Sequence, residues 1–302
     1  MLKRRIMGGV LVGTAWLFGL CYMPGWMLFG VLLLMSCVCQ NEFYQMMKRN
    51  GHPVSRNCGL AMGVVWLAAC YAYPPYAARQ LPMGHQFETL VLVVLTFALL
   101  LRVLFDSRIQ RPVEHVGVTL LGFFYLPFML SFFIRLAQWG ADQTFEIPCA
   151  RGGVYLASYL AAVVKFSDAG AFACGMTMGR HKMFPRISPK KSWEGFLGGI
   201  VAAMAVSAGM VAAAKHCAWL PGGALKELSL THALVLGLVL AVVGALGDLI
   251  ESMFKRASNI KDSAGLLPGG MGGILDMFDS LTFTPAVLYF YLAWFVGQAV
   301  AS

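Results

Sequence analysis

The chain contains 302 residues, of which 59% are hydrophobic and only 12% are charged. Soluble domains are about half apolar and about one quarter charged, so this composition excludes an ordinary soluble domain and predicts a polytopic membrane protein. The formal net charge of +9 comes from basic residues in short loops between apolar runs. This placement indicates membrane topology and anionic headgroups, and we expect no nucleic-acid partner.

Apolar runs of spanning length recur along the chain and predict an all-α polytopic membrane protein with about nine transmembrane helices. The predicted spans are 6–22, 24–45, 57–75, 87–105, 114–138, 153–178, 193–214, 231–253 and 280–300. Most Lys and Arg residues lie before the first span or after the second, fourth, sixth and eighth spans. Because cytoplasmic loops carry an excess of these residues, the N-terminus is predicted to be cytoplasmic.

A stretch of Lys165, Asp168 and a later Ser-Pro-Lys-Lys-Ser run, residues 188–192, precedes the seventh span. Ionisable residues inside an apolar segment suggest function, although Lys165 and Asp168 can simply neutralise each other. The run at 188–192 combines ammonium groups with the free N–H groups of a helix start, which suits an anion. The alternative is ordinary positive flanking with Ser192 as the helix N-cap.

The densest polar stretch lies between Asp248 and Asp279. Asp248 lies near the end of the eighth span. Asp276 and Asp279 share a face if their segment is helical. Three carboxylates at a membrane surface are costly unless they are paired or liganded, and they suit a hard cation such as Mg²⁺. Basic residues that suit phosphate lie among them, namely Lys255, Arg256 and Lys261.

Two features of this stretch have simpler interpretations. Glu251 and Lys255 are four residues apart, so an ordinary ion pair within a helix accounts for both. The glycine-rich run at 268–273 resembles a loop that cradles phosphate, but it lacks the ending of a P-loop. Such a run does not by itself distinguish a phosphate site from a turn.

Together these residues resemble the phosphatidate cytidylyltransferase (CDP-diacylglycerol synthase) family. The long C-terminal signature of the family is matched by Ser252, Lys255, Arg256, Lys261, Asp262, Pro268, Gly269, Gly272, Gly273, Asp276 and Asp279. Its S-P-K-K-[ST]-W-E-G block is matched by residues 188–195, and its D-[TA]-G-A-[YF] block by residues 168–172. Met271 and Met277 stand where the family has His and Arg, so roles of that His and Arg are not carried over.

The resemblance implies a membrane enzyme that converts CTP and phosphatidic acid to CDP-diacylglycerol and pyrophosphate with Mg²⁺, and it leaves open a second metal ion. It divides the chain into N-terminal transmembrane helices, 1–150, and a C-terminal transmembrane catalytic region, 151–302. The catalytic residues it implies are Asp248, Lys261, Asp262, Asp276 and Asp279. Of these, Asp248, Asp276 and Asp279 are expected to bind metal. The expected substrate-binding residues are Asp168, Ser188, Lys190, Lys191, Ser252, Lys255 and Arg256.

The same resemblance implies a bacterial inner membrane, with the active site on the cytoplasmic side and the lipid bilayer as a partner. It also leaves open a homodimer. Two other functions remain as alternatives. A CTP-dependent polyprenol or phytol kinase would share the metal and basic residues, but its nucleophile would be an alcohol. A transporter would use Lys165 and Asp168 as an intramembrane site, although the polar residues cluster in loops. The D-G-x-x-A-R pattern of CDP-alcohol phosphotransferases is absent from the sequence.

Overall fold

The computed structural model describes residues 25–73, 84–139, 151–217, 223–258 and 273–295. The longer helices are α1 (Gly25–Arg49), α2 (Arg56–Ala72), α3 (Gly84–Phe105), α4 (Pro112–Phe123), α5 (Met129–Ala137), α6 (Arg151–Met178), α7 (Trp193–His216), α8 (Leu230–Ala257) and α10 (Thr284–Phe295). The short helix α9 (Leu275–Phe278) and a 3₁₀ turn (Asp279–Leu281) precede α10, and another 3₁₀ turn (Gly223–Glu227) precedes α8.

Six helical segments of the described chain have the length and apolar composition to cross a membrane. They are Trp26–Arg49, Gln86–Phe105, Pro112–Ala137, Tyr155–Met178, Trp193–His216 and Leu230–Ala257. The protein is therefore a largely helical, multi-pass membrane protein. The predicted spans 57–75 and 280–300 overlap α2 and α10, and the predicted span 6–22 lies outside the described residues. The count of nine and the side of the N-terminus stay predictions.

One span bends around a proline. Helices α4 and α5 are joined by a π-helical turn, Phe124–Phe128, which contains Pro127. Proline has no N–H to donate and its ring clashes with the preceding turn, so a wider turn accommodates it without ending the helix. The 112–137 segment consequently stays one continuous span.

Helices α1, α2 and α4 pack around one buried tyrosine. The Tyr44 hydroxyl donates to the carbonyl of Thr119 on α4 at 2.7 Å. Gly59 on α2 and Gly122 on α4 both lie so close to the Tyr44 ring that a methyl group at either position would overlap it. Small residues at these contacts let helices approach closely in a membrane, where packing and not exclusion from water holds them together.

Helices α6 and α7 also approach through glycines. A methyl group at Gly170 would lie 2.6 Å from Cβ of Ala202 and 3.0 Å from the Gly198 carbonyl oxygen. Helices α6 and α7 are thus a tightly packed pair.

A two-stranded antiparallel hairpin connects α6 to α7. Strand β1 (Lys182–Phe184) pairs with β2 (Ser188–Ser192), with Lys182 opposite Ser192. Ser192 then caps α7, because its side chain accepts a hydrogen bond from the Gly195 N–H at 3.2 Å, as the N-cap interpretation predicts. The hairpin is an addition to the predicted all-α fold, and it carries the Ser-Pro-Lys-Lys run.

Candidate active site

Three carboxylates converge where α8 meets the 3₁₀ turn at Asp279. Asp248 and Glu251 are three residues apart on α8 and share one face of it. One oxygen atom from each of Asp248, Glu251 and Asp279 lies within 4.8 Å of the others. Glu251 is completely buried. We call these three residues the acid cluster.

The acid cluster is electrostatically crowded. Burial, together with the charges of Asp248 and Asp168, raises the pKa of Asp279 to about 7, and Lys165 opposes this increase. Like charges at this separation cannot all ionise at low cost without a cation between them. The cluster therefore favours binding of positive charge.

Asp276 lies beside the cluster and contacts a lysine. Its Oδ1 atom is 3.2 Å from Nζ of Lys255, and its Oδ2 atom accepts a hydrogen bond from the Gly273 N–H at 3.1 Å. Lys255 also lies 2.9 Å from Glu251, which confirms the predicted ion pair between residues four apart. Lys255 thus bridges Glu251 and Asp276, and it is largely buried between them.

A second group of polar residues holds the segment around Asp279 from α6. The Lys165 ammonium donates to the carbonyl of Met277 at 3.0 Å and to the Ser280 hydroxyl at 3.2 Å. It also lies 3.5 Å from Asp168. The Ser280 hydroxyl in turn donates to Asp168 at 3.0 Å. Lys165 and Asp168 therefore form the predicted pair, and that pair also fixes the turn that carries Asp279.

The basic hairpin meets the acid cluster through one ion pair. Nζ of Lys191 lies 2.8 Å from Oδ2 of Asp248, and it donates to the carbonyl of Ala245 on α8 at 3.0 Å. At the turn of the hairpin, Nε of Arg256 donates to the carbonyl of Ile187 at 3.2 Å. These three contacts tie the hairpin to α8.

A carboxylate at the start of α7 fixes the other end of the hairpin. Glu194 accepts hydrogen bonds from the backbone N–H groups of Arg180 and His181, and the imidazole of His181 lies 2.6 Å from it. Because Glu194 belongs to the first turn of α7, it holds the chain that leads into β1 against that helix.

A cavity of about 530 Å³ lies between α6, α7, α8 and the hairpin. Its apolar wall comes from α6 and α7 and includes Phe172, Met176 and Phe196. Charged residues that line it are Asp168, Lys182, Lys190, Lys191 and Asp248. An apolar wall with a charged border suits a molecule that has both a lipid part and an anionic head.

The structure brings together many of the residues singled out from the sequence. Asp168, Lys190, Lys191 and Asp248 border the cavity, and Asp279 joins Asp248 in the acid cluster. The Ser252 hydroxyl donates to Asp248 at 3.4 Å. Ser188 begins β2, and it is partly buried. Lys255 and Arg256 contact protein groups, as described above. Lys261 and Asp262 lie outside the described residues.

The structure places two further acidic residues, Glu251 and Glu42, at or beside the site, although the sequence alone did not assign them to it. Glu251 was interpreted only as a partner of Lys255, yet the spacing from Asp248 to Glu251 already puts both on one helical face. Glu42 on α1 accepts hydrogen bonds from the N–H groups of Ile274 and Leu275. Its signal was the Gln-Asn-Glu run at 40–42 inside an apolar span, where polar residues are expensive.

The acid cluster fits a divalent cation. Three carboxylates within reach of one point are the hard oxygen ligands that such ions prefer, and the raised pKa of Asp279 marks a site whose charge a cation would balance. The residues that would hold it are Asp248, Glu251 and Asp279.

Comparisons with known proteins cover nearly the whole chain. The model of the cytidylyltransferase family matches residues 3–295. The phosphatidate cytidylyltransferase of Bacillus subtilis is 32% identical over 298 residues, which cover 97% of this chain and 98% of the relative. That of Synechocystis sp. is 29% identical over 308 residues, with 97% of each chain covered. The chloroplastic phosphatidate cytidylyltransferase 4 of Arabidopsis thaliana is 27% identical over 315 residues, with 96% and 73% covered.

Proposed function

The chain belongs to the cytidylyltransferase family, and on this ground we propose that it is a phosphatidate cytidylyltransferase of phospholipid biosynthesis. It converts CTP and phosphatidate to CDP-diacylglycerol and pyrophosphate. A phosphate oxygen of phosphatidate forms a bond to the α-phosphorus of CTP. The bond from that phosphorus to the oxygen that bridges to the β-phosphorus breaks, and that oxygen leaves with pyrophosphate.

The observation that carries the proposal is the contact of Lys191 with Asp248 at the border of the cavity. A cation that suits phosphate and a carboxylate that suits metal lie there within 2.8 Å of each other. Phosphoryl transfer needs both kinds of group at one place, because its transition state spreads negative charge over several oxygens. The apolar wall beside them suits a lipid substrate.

We propose that the residues of this site stabilise negative charge and do not transfer protons. A phosphate oxygen of phosphatidate is already ionised at neutral pH, so its attack needs no strong general base. The obstacle is repulsion between two polyanions. We propose that Lys182, Lys190 and Lys191 bind substrate phosphates along the border of the cavity, and that Asp168 lies beside the nucleotide or metal.

We propose that Mg²⁺ binds to Asp248, Glu251 and Asp279. When bound there, Mg²⁺ supplies neutralisation of the CTP phosphates and of the departing pyrophosphate. The contacts of Lys255 with Glu251 and Asp276 support a role for this lysine in screening the repulsion between the two carboxylates and in orienting them. Arg256, Lys261 and Asp262 remain proposed phosphate-binding and catalytic residues from the family signature. A second metal ion also stays a prediction.

We further propose that the site faces the cytoplasm of a bacterial inner membrane, where soluble CTP meets the lipid headgroup. The turn after α1 contacts the end of α8, since the Asn50 amide donates to the Ala257 carbonyl at 2.7 Å. The end of α8 also contacts the hairpin through Arg256. The basic residues at the end of α1, in the hairpin and at the end of α8 therefore lie at one face, which supports a cytoplasmic side. The predicted homodimer stays a prediction.

The test is turnover by the purified protein in mixed micelles with labelled CTP, phosphatidate and Mg²⁺. We expect labelled CDP-diacylglycerol and release of pyrophosphate, both lost when a chelator removes the metal. Diacylglycerol in place of phosphatidate is the matched control, since it has a hydroxyl but no phosphate nucleophile. Formation of phosphorylated diacylglycerol and CDP, without turnover of phosphatidate, would favour a kinase. No CDP-diacylglycerol at any metal concentration would contradict the proposal.

A further inference from the structure

Glu42 is a buried carboxylate of α1 that contacts the segment bearing Asp276 and Asp279. Its side chain is 3% exposed. Oε1 accepts a hydrogen bond from the Ile274 N–H at 3.3 Å, and Oε2 accepts one from the Leu275 N–H at 3.0 Å. Burial of a carboxylate within a membrane span costs free energy, so the presence of Glu42 at this position indicates a role for its two hydrogen bonds.

The segment that Glu42 contacts is too short to hold its own shape. Helix α9 has four residues, and an isolated helix of that length is unstable because its first turn costs more than it gains. Ile274 has no side-chain cap of its own, so the N–H groups at this helix start need outside acceptors. Glu42 supplies an acceptor to two of them at once.

Helix α1 also contacts the other element that bears the acids. The Asn50 amide, next to the end of α1, donates to the Ala257 carbonyl at the end of α8. The ring of Phe43, adjacent to Glu42, packs edge-on against Phe254 of α8, with centroids 5.5 Å apart. Asp248 and Glu251 lie on α8. One rigid helix from the N-terminal half thus contacts both elements whose carboxylates form the site.

We infer that Glu42 is a positioning residue for the transferase site: through α1 it sets where the 273–279 segment lies relative to α8. Because the Asp279 carboxylate must approach Asp248 and Glu251 to share a cation, a shift of this segment weakens metal binding. The N-terminal helices are then part of the catalytic architecture and not only a membrane anchor. This inference rests on the proposed function for its link to turnover, but its effect on metal binding can be measured separately.

The experiment compares the full-length wild-type protein with Glu42→Gln, Glu42→Ala and Asn50→Ala. Binding of Mn²⁺, a spectroscopic substitute for Mg²⁺, is measured by electron paramagnetic resonance without substrates. We expect Glu42→Ala to weaken Mn²⁺ binding about 10- to 100-fold, the usual effect of removing a group that orients metal ligands. Glu42→Gln keeps one acceptor oxygen and should lose less. Asn50→Ala should shift affinity in the same direction.

Glu114→Gln is the control, because Glu114 is a carboxylate that contacts His52 at 2.7 Å and Arg111 at 2.9 Å and neither partner belongs to the acid cluster. We expect wild-type Mn²⁺ affinity in this variant and similar thermal unfolding in all folded variants. Wild-type Mn²⁺ affinity in Glu42→Ala would overturn the inference, as would an equal loss in Glu114→Gln. If Glu42→Ala does not fold, wild-type affinity in both Glu42→Gln and Asn50→Ala overturns it. Failure of the wild type to form CDP-diacylglycerol would contradict the proposed function and leave these binding outcomes decisive for Glu42.

Discussion

The four carboxylates near the start of the 3₁₀ turn differ in what surrounds them. Asp248, Glu251 and Asp279 bring oxygen atoms within 4.8 Å of one another, whereas Asp276 contacts Lys255 and the Gly273 N–H. The family signature alone predicts that Asp276 and Asp279 both bind metal. Asp279, and not Asp276, belongs to the group of three carboxylates whose oxygen atoms lie within 4.8 Å of one another, so we expect Asp279 to bind the metal and Asp276 to act through its contact with Lys255.

Replacing each of these two aspartates separates their roles. We expect Asp279→Asn to abolish Mn²⁺ binding, since it removes one of three metal ligands. Turnover should fall by more than about 100-fold, the upper end of the effect of replacing a residue that only orients a metal ligand. Asp276→Asn should keep measurable Mn²⁺ binding while turnover falls, because Lys255 then loses one of its two partners. Isothermal titration with Mn²⁺ and the CDP-diacylglycerol assay give both quantities.

Asp106→Asn is the control for this pair of variants, since Asp106 follows α3 and its side chain accepts a hydrogen bond from the Arg108 backbone N–H. It should bind and turn over as the wild type does. If Asp276→Asn lost Mn²⁺ binding while Asp279→Asn kept it, the assignment of ligands to the acid cluster would be wrong.

At the scale of elements, the close packing of α6 against α7 sets one wall of the cavity. We expect Gly170→Ala to destabilise the protein by about 1–3 kcal/mol, as overpacking of a tight contact does. The added methyl would lie 2.6 Å from Cβ of Ala202 and 3.0 Å from the Gly198 carbonyl, and neither atom can rotate away. Thermal unfolding in detergent measures the effect.

Gly209→Ala is the matched control on α7, because a methyl group there meets nothing within 4 Å. It should be neutral or slightly stabilising, since alanine has the higher helix propensity. Equal destabilisation by both variants would show that the α6–α7 contact does not limit stability.

The elements differ in how far the sequence predicts them. The spans were predictable from their apolar runs: the predicted 153–178 and 193–214 correspond to α6 (Arg151–Met178) and α7 (Trp193–His216). The hairpin was not, because β1 and β2 are short, and β2 contains a proline and two lysines with no apolar alternation. Its pairing depends on contacts with α7 and α8, which no local pattern reveals.

The site shows the same limit. Helical spacing suffices to put Asp248 and Glu251 on one face, and the polar motifs indicate which loops matter. The contact of Glu42 with Ile274 and Leu275 joins residues more than two hundred positions apart, so only the folded chain shows it. Likewise, Lys255 contacts both Glu251 and Asp276, and the signature does not encode this bridge.

At the scale of the whole molecule, we expect the connections at the two ends of α7 to lie on opposite sides of the membrane. Helix α7 is a candidate span that separates the hairpin from the 3₁₀ turn Gly223–Glu227. If the active site is cytoplasmic, the hairpin is inside and this turn is outside. Arg186 in the hairpin and Lys226 in the turn are both exposed, so each can be replaced by a reporter cysteine.

We expect a membrane-impermeant maleimide to label Lys226→Cys but not Arg186→Cys in intact spheroplasts, with the native cysteines replaced by serine in both variants. Permeabilised spheroplasts are the control, and both positions should be labelled there. Labelling of Arg186→Cys alone in intact cells would place the hairpin, Lys191 and the acid cluster outside. CTP is made and kept in the cytoplasm, so that outcome would separate the site from its nucleotide and remove the cytoplasmic assignment. Labelling of both positions in intact cells would show that α7 does not cross the membrane.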